Sequence, residues 1–198
     1  TIKWSQDEGE LTLLTHAAKN GHAEICQMLL DKGADVNQRS EGMVSDSGYS
    51  SVGITPLIYA SRNGHLKVVN VLLGVGGIDA NSRKDNGATA LYSSSLNGHR
   101  KVVEKLLAVD GIQVNQTDNG GFTPLYVACE NDHSKVVEKL LAVNGIGVNQ
   151  ASNNGWAPLN VACEKGAWTV VEKLLAVDGI QVNQANNNGF TPLNSACE

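Results

Sequence analysis

Two side-chain types that could perform metal or nucleophilic chemistry recur through this sequence. One series consists of His22, His65, His99 and His133, and the other of Cys129, Cys163 and Cys197. Successive cysteines are 34 residues apart, as are successive histidines from His65 onward, so each member belongs to a different structural unit. Packed helical units stand about 10 Å apart. This distance is too long for shared metal ligation or for a disulfide, whose Cα atoms lie within about 7 Å. We therefore expect each histidine to serve the helix start in its own turn and each cysteine to be a free core thiol.

The sequence offers little else for catalysis. It contains no Cys-x-x-Cys, no phosphate-binding glycine motif and no nucleophile elbow. We expect no catalytic residue, no metal and no cofactor.

Composition narrows the class of protein further. The 198 residues are 41% hydrophobic and 18% charged with a net charge of −5, which excludes a disordered tail and argues against nucleic-acid binding. No run approaches the roughly 18 apolar residues of a membrane span, so we expect no membrane insertion. Four unpaired cysteines, with Cys26 as the fourth, predict a reducing intracellular compartment, the cytoplasm or nucleus. The start at Thr1, without Met or a signal peptide, predicts a piece of a longer protein.

A repeat explains the 21 glycines and the many asparagines. Gly-Ile-Thr-Pro-Leu at residue 53 returns in similar form at Gly87, Gly121, Gly155 and Gly189, always after 34 residues. Residues 102–116 reappear letter for letter as residues 170–184. A chain built this way is expected to stack its units into a solenoid, because one unit cannot bury its apolar faces alone.

Each unit predicts two short helices. Thr before Pro, as in Thr123-Pro124, is an N-cap followed by proline in the first helical turn. Asn-Gly or Asn-Asp then supplies a left-handed turn, and a Val-Val-x-x-Leu-Leu stripe marks a second helix. The Gly-Ile-Gln-Val-Asn-Gln segment that follows predicts an extended connection to the next unit.

Thr-Pro-Leu, Asn-Gly-His, Val-Val-x-x-Leu-Leu and Gly-x-x-Val-Asn resemble the ankyrin repeat over about residues 9–198. The resemblance implies an all-α solenoid of stacked helix-turn-helix units with β-hairpin or extended finger loops, and a concave groove that binds proteins. We expect one domain with repeats at about 9–37, 53–86, 87–120, 121–154 and 155–188, and a partial repeat at 189–198. Residues 38–52 form an insertion.

Where the family usually has a histidine after Thr-Pro-Leu, this chain has Ile58, Tyr92, Tyr126, Asn160 and Asn194. Ala157 lacks the capping hydroxyl, and Ser93-Ser94-Ser95 predicts the loosest repeat.

The candidate partner-binding residues form two rows. The residue after each opening glycine is Ile54, Ala88, Phe122, Trp156 or Phe190, which the resemblance places at the groove. The rings either pack on neighbouring fingers or form an apolar anchor strip, with Tyr92 and Tyr126 nearby. The residue that follows the small or Cys position of each first helix is Lys19, Arg62, Leu96, Glu130, Glu164 or Glu198. This row is either a solvated face or, at its acidic end, a site for Arg or Lys of a partner.

Three polar features complete the set of candidate sites. The fingertips, such as Arg83-Lys84-Asp85 and Thr117-Asp118-Asn119, either contact a partner or are plain turns. The turn asparagines resemble sites of asparaginyl hydroxylation in ankyrin proteins; the candidates are Asn115, Asn149 and Asn183, with Asn37 and Asn81 at equivalent positions. In the insertion, Asp46 to Ser51 is similar to a doubly phosphorylated degron, with Ser47 and Ser51 as its phosphorylation sites.

The sequence thus predicts a monomeric, non-catalytic scaffold that binds a protein or peptide with basic and apolar anchors. One alternative is the targeting or regulatory region of a larger enzyme, channel or secreted effector. Another is a small-molecule or nucleotide sensor in the groove, with Trp156 and Phe122 as stacking rings, which the acidic Glu130 and Glu164 disfavour because they repel phosphate.

Overall fold

The computed structural model describes residues 11–40 and 53–197. Within these ranges all regular secondary structure is helical, in 11 short helices. They are α1 (Leu13–Lys19), α2 (Ala23–Asp31), α3 (Pro56–Arg62), α4 (Leu66–Leu73), α5 (Ala90–Leu96), α6 (Arg100–Leu107), α7 (Pro124–Glu130), α8 (Ser134–Leu141), α9 (Pro158–Glu164), α10 (Trp168–Leu175) and α11 (Pro192–Ser195). Five helix pairs and one further helix agree with the expected solenoid of about five and a half repeats.

The first helix of most repeats begins at a threonine cap, as the sequence predicts. The hydroxyl of Thr123 accepts a hydrogen bond from the backbone N–H of Tyr126, and Thr55, Thr89 and Thr191 act in the same way. Pro124 occupies the first helical turn, where its missing N–H leaves no bond unmade. Ala157 begins α9 without a side-chain acceptor, also as expected.

Helices pack in two rows. The first helices α1, α3, α5, α7, α9 and α11 form one row, and the second helices α2, α4, α6, α8 and α10 form the other. The Val-Val-x-x-Leu-Leu stripe of α8 packs into the core, where Val136, Val137 and Leu140 are fully buried and Leu141 is half-buried. The buried side chains form one continuous core along the stack. Ser93, Ser94 and Ser95 are buried in α5 between α3 and α7, and the looseness expected of this repeat stays a prediction.

The fingers that connect the repeats are extended loops closed by backbone hydrogen bonds. In one of them the N–H of Asp118 donates to Phe122 O at 3.1 Å, and the N–H of Gly121 donates to Asp118 O at 3.1 Å. Ser40 and Ile54 close the first finger with an equivalent bond of 2.9 Å. The two sides of this finger therefore meet at residues 40 and 53.

Asparagines at the fingertips bind each finger to the one before it. The backbone N–H of Asn153 donates to Gly120 O at 3.1 Å, and its side-chain amide donates to Asn119 O at 3.0 Å. A Cβ on Gly121 would lie only 2.7 Å from the nitrogen of Asn153, so this close approach requires glycine. Asn119 and Asn187 make the same pair of bonds to their preceding fingers.

Candidate functional site

The fingers and the C-terminal ends of the first helices form one continuous face, which we call the finger face. Its aromatic row changes character along the chain. Ile54 and Ala88 are buried, Phe122 and Trp156 are half-buried against the core, and Phe190 is exposed. The early members of the row are thus core residues, while Phe122, Trp156 and Phe190 keep accessible ring surface.

Tyrosines lie directly beneath this part of the row. The ring of Phe122 is tilted against that of Tyr126, with centroids 4.7 Å apart. Tyr126 and Tyr92 are themselves buried, and the hydroxyl of Tyr92 donates to Asp118 Oδ2 at 3.1 Å. Burial raises the pKa of both phenols. Both tyrosines therefore form the floor of the finger face and offer a partner little area of their own.

At one end the finger face is acidic. Glu130 is half-buried and Glu164 is exposed, and they end α7 and α9. Burial raises the pKa of Glu130; the positive charge of Lys165 opposes this shift, and the negative charge of Glu164 adds to it. Lys165 Nζ stands 3.6 Å from Glu164 Oε1, but both groups are largely solvated, so this ion pair is weak. The two carboxylates repel each other and would be stabilised by an additional cation.

The other end is basic. Arg62 is exposed at the end of α3, and Lys84 is half-buried at the base of the following finger. Burial lowers the pKa of Lys84, as does the neighbouring Arg62, while Asp118 opposes the shift. Within residues 11–40 and 53–197, neither cation forms a salt bridge. One repeat before Arg62, Lys19 Nζ lies 5.9 Å from the ring centroid of Tyr59.

The sequence identified most of these residues but gave Lys84 and Asp118 another role. The sequence predicts both at the fingertips. In the structure both are half-buried, Lys84 within electrostatic reach of Arg62 and Asp118 in contact with Tyr92. Asp118 is held there because its Oδ1 accepts hydrogen bonds from the N–H groups of Gly120 and Phe122. The signal in the sequence was the position of Asp118 two residues before Gly120, which is typical of an Asx turn.

The histidines act differently from the prediction. They stand at the start of the second helices, but none of their side chains caps its own helix. Instead the Nε2 atoms of His65, His99 and His133 donate to carbonyl oxygens at the end of the preceding repeat's first helix, at 2.9–3.0 Å. The histidines thus stand at the helix starts, as expected, but the side chains of His65, His99 and His133 link adjacent repeats instead of capping their own helices.

The cysteines are free thiols, and the asparagine at the family's histidine position has a structural role. Cys26 and Cys129 are free and buried, Cys163 is half-buried, and Cys197 is free but exposed, contrary to the expected core position, because α11 is the last described helix. Asn160 is fully buried in the place of the usual histidine. It accepts from the N–H of Ala157 at 3.2 Å and donates to Gln184 O and Phe190 O, and so it holds the next finger against α9.

The candidate hydroxylation sites form a second set of links between repeats. The amide of Asn115 donates to Gly145 O and accepts from the N–H of Gly147, both at 2.8 Å, and Asn149 binds the next repeat in the same way. Asn183 is exposed. The candidate phosphorylation sites Ser47 and Ser51 lie outside the described residues.

Other chemistry finds little support in this part of the chain. No group of three or more His, Cys, Asp or Glu side chains in the described ranges is placed to hold a metal ion. None of the described helices is long and apolar enough to cross a membrane.

Comparison with known proteins agrees with the geometry. A family model described as "Ankyrin repeats (3 copies)" matches residues 2–84, 75–152 and 139–198. A search of the curated proteins returned no match. Overlapping matches that run from residue 2 to residue 198, over a stack of paired helices with extended fingers, show that this chain belongs to the ankyrin repeat family.

Proposed function

We propose that the finger face is a non-catalytic docking surface for a partner protein or peptide that carries Arg or Lys next to an apolar anchor. Ankyrin repeats are in general protein-interaction modules, and this supports the broad role. The specific proposal rests on one observation: the accessible ring of Phe122 packs on Tyr126, which is within electrostatic reach of two carboxylates, Glu130 and Glu164, that share a single lysine.

The finger face suits a partner side chain or segment that combines a cation with an apolar group. Glu130 is partly buried, so water screens its attraction for a cation less than it screens that of a fully solvated carboxylate. The rings of Phe122, Trp156 and Phe190 provide apolar area beside it, and aromatic anchors of this kind dominate binding energy at many interfaces. The four free cysteines support a reducing compartment as the place of binding.

Charge reversal tests the proposal with little risk to folding. Trp156 is half-buried, so its replacement would remove packing as well as binding surface. We therefore choose Glu130→Lys with Glu164→Lys, and Glu172→Lys as the matched control, because Glu172 is exposed on α10 in the other row of helices. We expect affinity capture from native lysate to lose its main partners with the double variant and to keep them with the control.

Two readouts make the test decisive. Thermal melting must show that the double variant and the control are equally folded. If both capture the same partners as the unaltered chain, the acidic part of the finger face is not the docking surface, and the proposal is wrong.

A further inference from the structure

Charge is segregated along the ends of the first helices, with Arg62 at the end of α3 and Glu130 and Glu164 at the ends of α7 and α9. Asp118 near Lys84 and Lys165 near Glu164 are the counter-charges at the two ends. Glu130 and Glu164 are neighbours because α7 packs against α9, and Lys84 lies in the finger that follows Arg62. Burial and, to a smaller extent, Arg62 lower the pKa of Lys84, while burial and, to a smaller extent, Glu164 raise that of Glu130. Each end of the finger face thus holds a like-charge pair. Within the described ranges the only salt bridge to any of these four groups is the weak one from Lys165 to Glu164.

The buried ring of Tyr92, on α5 between α3 and α7, lies between the two ends. Lys84 lies within electrostatic reach of Asp118. The Oδ2 atom of Asp118 accepts a hydrogen bond from the hydroxyl of Tyr92 at 3.1 Å. Tyr92 in turn lies within electrostatic reach of Glu130 and Tyr126. The two charged pairs are therefore parts of one surface with buried aromatic rings between them.

We infer that the finger face takes one extended peptide with opposite charges at its two ends, with an acidic residue at Arg62 and Lys84 and a basic residue at Glu130 and Glu164. The inference rests on the proposed function and adds to it the second anchor and the register of the partner. A single segment with this pattern would neutralise both like-charge pairs at once. A uniformly basic peptide would neutralise one pair and be repelled by the other.

The length of the peptide follows from the repeat. Glu130 and Glu164 come two and three periods after Arg62. Because packed helices stand about 10 Å apart, the two ends are separated by about 20–30 Å. An extended chain advances about 3.3 Å per residue, so about six to nine residues separate the acidic and basic anchors. The residues between them meet Phe122 and the tyrosine floor, so they should include an apolar side chain.

A random 16-residue peptide display library is the probe. We expect selection on the immobilised chain to enrich peptides with Asp or Glu at one end, Arg or Lys at the other, and an aromatic or branched apolar residue between. Synthetic peptides from this pool should bind, in fluorescence anisotropy, at least tenfold more tightly than versions with the same residues and shuffled charges.

Two variants then separate this inference from the proposed function. With Arg62→Glu and Lys84→Glu, the selected peptides should bind at least tenfold more weakly, and a new selection should enrich peptides that are basic at both ends. Glu130→Lys with Glu164→Lys should instead favour peptides that are acidic at both ends. Circular dichroism must show that both variants keep the helical signal and melting temperature of the parent.

Each remaining outcome counts against one idea or both. If the selected peptides are basic and apolar, and depend on Glu130 and Glu164 but not on Arg62 and Lys84, the proposed function stands and the two-ended register is wrong. If no enriched peptide responds to either pair of substitutions, both are wrong. If phosphorylated peptides bind and their carboxylate counterparts do not, the basic end recognises phosphate, and the inferred carboxylate anchor is refuted.

Discussion

Replacing Gly98 by Asp should be more costly while a histidine is present in the next repeat. Gly98 has φ +71° in the turn between α5 and α6, and the ring of His133 lies over it while Nε2 donates to Leu96 O at 3.0 Å. One repeat later the chain itself carries the altered pair: Asp132, with φ +52°, takes the glycine position and Ala167 takes that of the histidine. Gly98→Asp with His133→Ala would copy this natural pair into the preceding repeat.

The expected magnitudes follow from the contacts. A Cβ on Gly98 would lie 2.8 Å from both Cε1 and Nδ1 of His133, so the ring must move and its hydrogen bond is lost. A left-handed residue other than glycine costs about 1 kcal/mol, and the lost bond costs about another 1 kcal/mol. His133→Ala alone should cost about 1 kcal/mol for the same bond. The double variant should cost about 2 kcal/mol rather than about 3, because the bond can be lost only once, which gives a coupling energy of about 1 kcal/mol.

Urea unfolding followed by circular dichroism measures the free energy of unfolding of the four proteins, with the slope checked for constancy. Gly111→Asp is the matched control, since Gly111 has φ +74° but no atom within 4 Å of an added Cβ. Its effect should simply add to that of His133→Ala. If Gly98→Asp and His133→Ala are also additive within about 0.5 kcal/mol, steric exclusion between these positions is refuted.

The remaining predictions concern the links between repeats, the thiols and the acidic end. Asn115→Ala should lower the free energy of unfolding by about 1–3 kcal/mol because it leaves two backbone groups without a partner, whereas Asn183→Ala, at an exposed position, should leave it within about 0.5 kcal/mol; equal urea midpoints would contradict this. At pH 8 a thiol reagent should modify exposed Cys197 quickly and Cys26 only after unfolding, because burial raises the pKa of Cys26 to about 11; mass spectrometry of the digested protein checks the order. Affinity for a basic peptide should fall as the pH drops through the raised pKa of Glu130, since the protonated carboxyl has no charge to offer the cation; Glu130→Gln should remove that part of the pH dependence in anisotropy titrations.

Features confined to one repeat could be predicted from the sequence. The Thr-Pro start of a helix and the Val-Val-x-x-Leu-Leu stripe depend on residues at most a few positions apart, so α7 and α8 begin where local chemistry places them. The 34-residue period then fixes the order of the stack. For the same reason Phe122, Glu130 and Glu164 could be recognised as members of rows on one face.

Interactions between repeats could not be predicted from the sequence pattern of a single repeat. His133 was assigned to its own turn because its neighbours in sequence are there, yet its ring reaches Leu96 in the preceding repeat. Asn115 was read as a turn residue, and it also binds Gly145 and Gly147 of the next repeat. In both cases the direction of the side chain depends on how two units stack, which a linear pattern does not specify.

The departures from the repeat obey two different constraints, and the difference explains why the finger face is the candidate site. Where repeats touch, a change at one position is matched by a change at its neighbour, as with Asp132 and Ala167, because the shared space admits either a Cβ or a ring. The last residues of the first helices vary from Arg62 through Leu96 to Glu130 with no comparable steric partner. Packing therefore limits the first kind of position and leaves the second open to be shaped by whatever binds there. The fold does not require this segregation of charge. A surface that binds a partner with the opposite charge pattern would have it.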